Sequence, residues 1–279
     1  MRRALLVLLS WSALLAGCTS VFFQPMRGHV ATPERIGLAY QDVYFEATDG
    51  VRLHGWFIPA QGAATGTVFF LHGNAENIST HIGSVYWLPK QGFNVFLPDY
   101  RGYGLSQGTP TMAGVMNDIG AAFDTLLARP DVDPQRIVVF GQSLGGSLAI
   151  SYVARSPHRA HIRALAVESA FSDFRGIAQE KLASFWLTWP FQWLPLLMID
   201  NGYSPLLTVD QVAPIPLLVI LGERDLIVPP HHGRDLYARA REPKELWIVP
   251  DAGHIEALRT SENRERFVAW MRKQLGVQQ

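Results

Sequence analysis

The stretch "VVFGQSLGGSL", residues 138–148, decides the fold of this 279-residue chain. An apolar run ends at Gly141, Ser143 follows, and a second glycine, Gly145, stands two places beyond the serine. Apolar residues then recur every fourth position over 144–152, which indicates a helix. A serine flanked in this way between a buried strand and a helix is typical of a nucleophile elbow, because the tight turn leaves no space for side chains beside it. The stretch therefore predicts that Ser143 is a catalytic nucleophile.

Short apolar runs and helical patterns alternate along the rest of the chain. Runs of this kind, apolar on both faces, are typical of strands in a parallel sheet. The alternation predicts an α/β fold with a doubly wound, mostly parallel sheet. We expect a hairpin at 42–58, strands at 66–74, 94–104, 136–143, 163–171, 216–225 and 244–254, and helices at 111–129 and 261–275.

Residues 172–209 interrupt this alternation, because a single helix would not need so many residues between two strands. We expect a short helical cap here, inserted over the carboxyl ends of the strands, where open α/β sheets bind ligands. Its segment "WLTWPFQW" holds Trp186, Trp189 and Trp193, whose spacing would place them on one side of a helix. We expect the three tryptophans to line an acyl or aryl pocket. The alternative is that they only attach the cap to the body.

A serine hydroxyl is a weak nucleophile unless a base takes its proton and an acid orients that base. In this fold the three groups follow one another as serine, acid, histidine. The segment "LGERD" places Asp225 after one strand run, and "VPDAGH" places His254 after the last one. We therefore predict Asp225 as the acid and His254 as the base. Glu168, which ends an earlier strand run, is the alternative acid.

Two backbone N–H groups are expected to form an oxyanion hole beside the serine. One belongs to Leu144, the residue after the nucleophile, at a helix N-terminus. The other is expected from the loop "LHGNAEN" after the third strand, and Asn74 is the predicted donor. In "LPDYRGYG", Asp99 is expected to form a structural pair with Arg101 rather than to act in catalysis.

The motifs "HGNAEN", "DYRGYGLS", "GQSLGG", "GERD" and "AGH" occur in this order and together resemble the α/β-hydrolase superfamily. The resemblance covers about residues 41–275 and is greatest to the serine-aminopeptidase-like and monoacylglycerol-lipase-like branch. It implies no particular substrate, because this fold hosts many chemistries. It implies a triad of Ser143, Asp225 and His254, with no position substituted, and an oxyanion hole formed by the N–H groups of Asn74 and Leu144.

The composition excludes several other classes of partner. Lys plus Arg and Asp plus Glu both number 24, and no basic stripe appears, so we expect no nucleic acid. The chain has one cysteine, Cys18, which excludes an internal disulfide framework and a CxxC metal or redox site. No zinc motif and no phosphate or dinucleotide loop is recognisable. We therefore expect no metal and no cofactor, and a small acyl ester as the substrate.

The first residues predict an export signal. Arg2 and Arg3 precede an apolar stretch at 4–15, which is shorter than the ~20 residues that a membrane span needs. The following "LAGC" resembles the lipobox of bacterial lipoproteins. We expect residues 1–17 to be a lipoprotein signal peptide and Cys18 to carry the lipid. The alternative is an ordinary signal peptide.

The remaining boundaries follow from this interpretation. Residues 18–40 show little pattern and are predicted to be a flexible tether, and residues 41–279 the hydrolase domain. The expected location is the bacterial cell envelope, through the lipid anchor. In a Gram-negative host, Thr19 rather than aspartate after the cysteine resembles the signal for the outer membrane.

These features predict a serine hydrolase that cleaves carboxylic esters or thioesters through an acyl-enzyme. One alternative is an aminopeptidase of the same fold, which would need an acidic group for the substrate amine, such as Glu76 or Glu180. Another is a non-catalytic envelope lipoprotein that uses the fold as a binding module. The intact set of three catalytic residues argues against that alternative.

Overall fold

The computed structural model describes residues 22–277, so the expected signal peptide and Cys18 lie outside the described residues. Ten strands occur in the described part of the chain, and eight of them form one sheet. The ten are β1 (Gln24–Pro25), β2 (Gln41–Glu46), β3 (Arg52–Ile58), β4 (Gly66–Leu71), β5 (Ala75–Glu76), β6 (Phe93–Asp99), β7 (Ile137–Gln142), β8 (Ile162–Glu168), β9 (Leu217–Gly222) and β10 (Lys244–Val249).

The main sheet has the strand order β2-β3-β6-β4-β7-β8-β9-β10. Only β2 with β3 and β3 with β6 run antiparallel; the other neighbours are parallel. The hairpin closes where the N–H of Gly50 donates to the carbonyl of Ala47. The predicted mostly parallel α/β sheet is therefore confirmed.

Helices cover both faces of the sheet, and the side chains of β4 show why. Phe69 and Leu71 pack in one apolar cluster, whereas Val68 and Phe70 alternate with them and pack in a second cluster on the other face. All four side chains are fully buried, as expected of a central parallel strand. The helices are α1 (Ile78–His81), α2 (Met112–Leu127), α3 (Leu144–Arg155), α4 (Phe174–Ala183), α5 (Leu194–Met198), α6 (His231–Arg239) and α7 (Ser261–Gln274).

The cap between β8 and β9 consists of short pieces. It contains α4, a 3-10 turn at Trp189–Phe191, α5, and two further 3-10 turns at Pro205–Leu207 and Val209–Gln211. Within residues 22–277, no helix is both long enough and apolar enough to cross a membrane. These short helices between β8 and β9 form the predicted cap.

The segment 22–40 differs from the predicted tether, because its described residues pack on the domain. Strand β1 pairs with β5, and Phe23 and Leu38 are buried. The side-chain amide of Asn77 donates to the carbonyls of Met26 and Gly28, at 3.1 and 2.5 Å. These contacts reach residues far away in the sequence, which is why no local pattern marks them. The tether prediction is wrong for residues 22–40.

The expected pair of Asp99 with Arg101 is also wrong. The Arg101 guanidinium bonds instead to the carboxylates of Asp118, on α2, and Asp49, each at 2.7 Å. Asp99 accepts from the N–H of Ile78 at 3.0 Å. The long arginine side chain reaches the facing helix, whereas Asp99 turns to the start of α1. Both residues still stabilise loops, as expected of a structural role.

Candidate active site

Ser143 lies at the sharp turn between β7 and α3, in a conformation that is rare for residues other than glycine. Its φ is 53° and its ψ is −120°, and its N–H donates to the carbonyl of Glu168 at 2.9 Å. Such strain persists only where the surrounding structure enforces it, and it occurs often at functional sites. The strand–turn–helix context predicted for the serine is present.

Close approach of the backbone explains the glycines beside Ser143. A Cβ at Gly145 would overlap the carbonyl oxygen of Leu71 at the end of β4, and one at Gly141 would overlap the carbonyl oxygen of Gly145. Any larger residue at either place would push α3 away from the sheet. The glycines thus let the helix start directly beside the strands and hold the serine at the turn.

Asp225 and His254 are hydrogen-bonded to each other. The distance from Asp225 Oδ2 to His254 Nδ1 is 2.8 Å. Asp225 Oδ1 accepts from the N–H groups of Ile227 and Val228, at 2.9 and 2.8 Å. Burial alone would raise the pKa of Asp225, but the bonds from His254 and Val228 outweigh it and lower the pKa. An ionised Asp225 can only accept, so His254 Nδ1 is the donor in this bond, and in a neutral imidazole Nε2 is then the acceptor.

Ser143 and His254 line one cavity, and Asp225 supports His254 from behind. The Ser143 hydroxyl forms no hydrogen bond to any residue that the structure describes. Transfer of its proton to His254 therefore requires the two side chains to move closer together, which is common when substrate binds. The structure thus brings the three predicted catalytic residues together.

Glu168, the alternative acid, has other partners. Its Oε1 accepts from the N–H of Ala257 at 2.8 Å, and its Oε2 accepts from the amide of Gln142 at 2.6 Å. Burial raises the pKa of this carboxyl group. The side chain therefore ties the loop that carries His254 to the end of β7, and the imidazole itself is bonded to Asp225.

The two predicted oxyanion donors, Asn74 and Leu144, both line the cavity. The N–H of Leu144 is at the first residue of α3, where no intrahelical partner exists. The N–H of Asn74 donates to no described residue. Its carbonyl accepts from the hydroxyl of Tyr103 at 2.6 Å, and its Oδ1 accepts from the N–H of Gln24 at 2.9 Å. The loop that carries Asn74 is therefore held from two sides.

The predicted tryptophan pocket is wrong. Trp186, Trp189 and Trp193 do not line the cavity and are 78%, 58% and 51% exposed. Two prolines break this part of the cap into a 3-10 turn and the five-residue α5, so the helical spacing does not apply. The cavity of about 740 Å³ is lined by apolar side chains that include Phe22, Phe171, Ile177, Leu182, Leu194 and Met198.

Sequence reasoning missed several residues of the cavity wall. Phe22 falls in the expected tether, so no pattern pointed to it. Ile255 lines the cavity with a φ of 52°, and Glu76, which the sequence suggested only as a group for a substrate amine, lines it with a φ of 66°. No sequence signal shows the strain at these two positions. His81 also lines it; burial lowers its pKa, and its Nε2 lies 3.0 Å from the carbonyl oxygen of Ala75.

Two groups of side chains outside the cavity carry potential metal-ligating atoms within 4.8 Å of one another. In each group, a histidine nitrogen already pairs with a carboxylate oxygen, at 2.9 and 3.0 Å. These contacts explain why the side chains lie close together, and neither group lines the cavity. The first group is His29, His54 and Asp99, and the second is Glu180, His231 and His232.

Comparison with known proteins agrees with this geometry. Residues 62–211 match the family described as "Serine aminopeptidase, S33". The chain is 41% identical over 221 residues to "Uncharacterized protein YfhR" of Escherichia coli, a match covering 78% of this chain and 74% of that protein. It is 37% identical to "Alpha/beta hydrolase domain-containing protein WAV2" of Arabidopsis thaliana, over 82% of this chain and 77% of that one.

A solved structure is also similar. The Pyrococcus furiosus esterase Pf2001 superposes with a TM-score of 0.70 at 25% identity, covering 91% of this chain and 97% of that one. The fold, the turn that carries Ser143 and the sequence similarity thus all indicate the same family. The chain belongs to the serine aminopeptidase S33 family of α/β hydrolases and is a hydrolase.

Proposed function

We propose that this hydrolase is a serine esterase that cleaves carboxylic esters or thioesters through an acyl-enzyme. The observation that carries the proposal is the 2.8 Å bond between Asp225 and His254 beside a strained Ser143 on one apolar cavity. The similarity to an esterase structure supports the same class. A nucleophile, a base and an orienting acid are the parts that acyl transfer requires.

In the proposed first half-reaction, Ser143 Oγ attacks the ester carbonyl carbon while its proton passes to His254 Nε2. Asp225 stabilises the imidazolium that forms, because its Oδ2 accepts from Nδ1 at 2.8 Å. The N–H groups of Asn74 and Leu144 donate to the developing oxyanion. The C–O or C–S bond then breaks, and the alcohol or thiol leaves with the proton from His254.

In the second half-reaction, a water molecule gives a proton to His254 Nε2 and attacks the acyl carbon. Collapse of this intermediate returns the proton to Ser143 Oγ and releases the carboxylic acid. Every proton passes through His254, so the proposed reaction requires no cofactor and no metal.

An aminopeptidase would need a carboxylate in the cavity for the substrate amine. Glu180 does not line the cavity and pairs with His231 at 3.0 Å. Among the described lining residues, Glu76 is the one that offers a carboxylate, and its side chain is exposed. This makes Glu76 the residue whose substitution separates the two activities.

We expect p-nitrophenyl esters to be hydrolysed with a kcat/KM that rises about fourfold per added methylene until the acyl chain fills the cavity. Aminoacyl p-nitroanilides should be poor substrates, and Glu76→Gln should leave ester hydrolysis within about twofold of wild type, because it removes only charge. Faster cleavage of the anilides, abolished in Glu76→Gln, would instead establish the aminopeptidase.

We also propose that the chain is anchored in the cell envelope by a lipid on Cys18. The "LAGC" motif and the short apolar stretch before it support this. Wild type expressed in a bacterial host is expected to incorporate a labelled fatty acid and to fractionate with membranes. Cys18→Ser should lose the label, because the acceptor sulfur is gone, whereas the control Thr19→Ser should keep it. An unlabelled wild type that fractionates like Cys18→Ser would rule out the lipid anchor.

A further inference from the structure

The cap exposes many large apolar side chains that lie close together in the sequence. On most soluble surfaces such side chains occur singly, and larger groups mark interaction sites. Leu226 and Ile227, in the loop after β9, lie next to the cap. The ammonium group of Lys181, on α4 of the cap, donates to the carbonyl of Leu226 at 3.3 Å. We define the cap patch as the exposed residues Phe185, Trp186, Leu187, Trp189, Phe191, Trp193, Leu196, Leu197, Leu226 and Ile227.

Most residues of the cap patch belong to one segment, 182–199. These eighteen residues, between Lys181 and Asp200, include no charged side chain. A run of this length could nearly span a bilayer as one helix. Pro190 and Pro195 prevent that helix, and the run folds into a 3-10 turn and the short α5 on the protein surface. The apolar side chains are therefore displayed side by side along the outside of the cap.

The composition of the cap patch fits a lipid–water interface better than a protein core. Tryptophan combines an apolar ring with an N–H donor and is enriched where hydrocarbon meets lipid headgroups. The indole N–H groups of Trp186, Trp189 and Trp193 donate to no residue in the described part of the chain. They remain available for headgroup or water oxygens while the rings enter the apolar layer.

The cap patch lies at the opening of the catalytic cavity. Ile227 belongs to both, because its side chain is exposed and also lines the cavity. Leu194 and Met198 line the cavity from the same short helix that exposes Leu196 and Leu197. A surface that covers the cap patch would therefore lie beside the entrance through which an acyl chain reaches Ser143.

The N-terminal end of the described chain points to the same side. Phe22 lines the cavity and packs against Phe174 with ring centroids 5.0 Å apart. Cys18 is four residues earlier, and an extended chain spans at most about 3.6 Å per residue, or about 14 Å in all. The proposed lipid on Cys18 would therefore hold the bilayer close to the cavity.

We propose that the cap patch docks on the surface of a lipid bilayer, and that the hydrolase takes acyl ester lipids from that bilayer into its cavity. The bilayer, rather than another protein, would cover the cap patch. The part of the proposal that concerns lipid hydrolysis rests on the esterase function proposed above. The docking itself depends only on the exposed side chains.

The test uses a chain that starts at Thr19, which lacks the anchor and keeps every residue whose packing is described above. Its binding to vesicles of phosphatidylethanolamine and phosphatidylglycerol is measured by flotation. The variant Trp186→Gln/Leu197→Gln/Leu226→Gln changes three exposed residues of the patch that do not line the cavity. The control Val30→Gln/Ile36→Gln/Tyr44→Gln changes three exposed apolar residues outside the patch.

We expect the patch variant to bind vesicles at least ~100-fold more weakly than wild type, because each apolar side chain that enters lipid contributes about tenfold or more. The control should stay within about twofold of wild type. Hydrolysis of a long-chain ester carried in the vesicles should fall with binding in the patch variant. Hydrolysis of water-soluble p-nitrophenyl acetate should be unchanged in both.

Four outcomes separate the proposals. A wild type that does not float with vesicles, or a patch variant that floats equally well, would overturn docking. A dimer that the patch variant dissociates, without vesicle binding, would assign the patch to a second copy and also overturn docking. Wild type that floats but hydrolyses neither ester would overturn the esterase function while supporting docking.

Discussion

Ser143→Ala is expected to lower ester hydrolysis by at least ~10⁴-fold and to abolish labelling by a fluorophosphonate probe. The change removes the only atom that forms the acyl-enzyme, and the remaining oxyanion donors and binding groups cannot replace it. Turnover of p-nitrophenyl esters by the purified variant and gel fluorescence after probe treatment measure the two effects.

The fold should survive this substitution. Alanine has the same Cβ as serine, so the strained backbone with its φ of 53° meets no new clash. Ser147→Ala is a matched control one turn along α3, which removes a buried hydroxyl that donates to the carbonyl of Phe171 at 2.8 Å. The control should keep its activity and its labelling. Ser143→Ala with activity within tenfold of wild type would refute the nucleophile, and a wild type that the probe cannot label would favour a non-catalytic binding module.

Asp225→Asn is expected to lower turnover by about 10³–10⁴-fold with little change in KM. The asparagine Oδ1 would keep the bonds from the N–H groups of Ile227 and Val228, which turns its NH₂ group towards His254 Nδ1. A donor there forces Nδ1 to accept, and the proton of the imidazole moves to Nε2. In that tautomer His254 cannot take the proton of Ser143. Steady-state kinetics of p-nitrophenyl ester hydrolysis measure the loss.

Glu168→Gln is the matched carboxylate-to-amide control. We expect less than about tenfold loss of turnover, because Glu168 does not bond to His254. The carboxylate of Glu168 now accepts hydrogen bonds from the N–H of Ala257 and from the amide of Gln142. In Glu168→Gln, the new NH₂ group would face one of these two donors. A buried clash of donors costs about 1–3 kcal/mol of stability, which thermal unfolding would detect. A large kinetic loss in Glu168→Gln and a small one in Asp225→Asn would show that the acids are assigned the wrong way round.

The sheet and the main helices could be predicted because their signals are local. Strand β4 is buried at every position and apolar from Val68 to Leu71, and α2 repeats its apolar residues every three or four positions. Thr111 then caps α2, accepting from the N–H of Gly114 at 3.1 Å. Because local preference and buried pattern agree in these elements, sequence and structure coincide there.

The candidate catalytic residues could be predicted because topology orders them. The carboxyl ends of parallel strands meet at one edge, so polar residues just after β7, β9 and β10 come together there. Position favoured Asp225 and left Glu168, the last residue of β8, as the alternative acid. The structure distinguishes them by their hydrogen-bond partners, which depend on loops of irregular shape.

Two of the errors share one physical cause, which is dependence on distant partners. Segment 22–40 is held by β5 and by Asn77, and Arg101 bonds to carboxylates 17 and 52 residues away. The orientation of the cap tryptophans depends on where prolines break the helix, which a spacing rule does not include. For segment 22–40 and for Arg101, no window of adjacent residues contains the necessary information.

The pairing of β1 with β5 makes the start of the folded chain part of the binding site. Phe22 and Gln24 belong to the cavity wall, and Gln24 fixes the loop of Asn74 through its backbone N–H. The proposed signal peptide and anchor could therefore be exchanged only upstream of Phe22. A chimera joined just before β2 would keep the eight-stranded sheet but would take Phe22, Gln24 and their part of the cavity wall from another protein. Its substrate specificity would then depend on that protein's N-terminal segment.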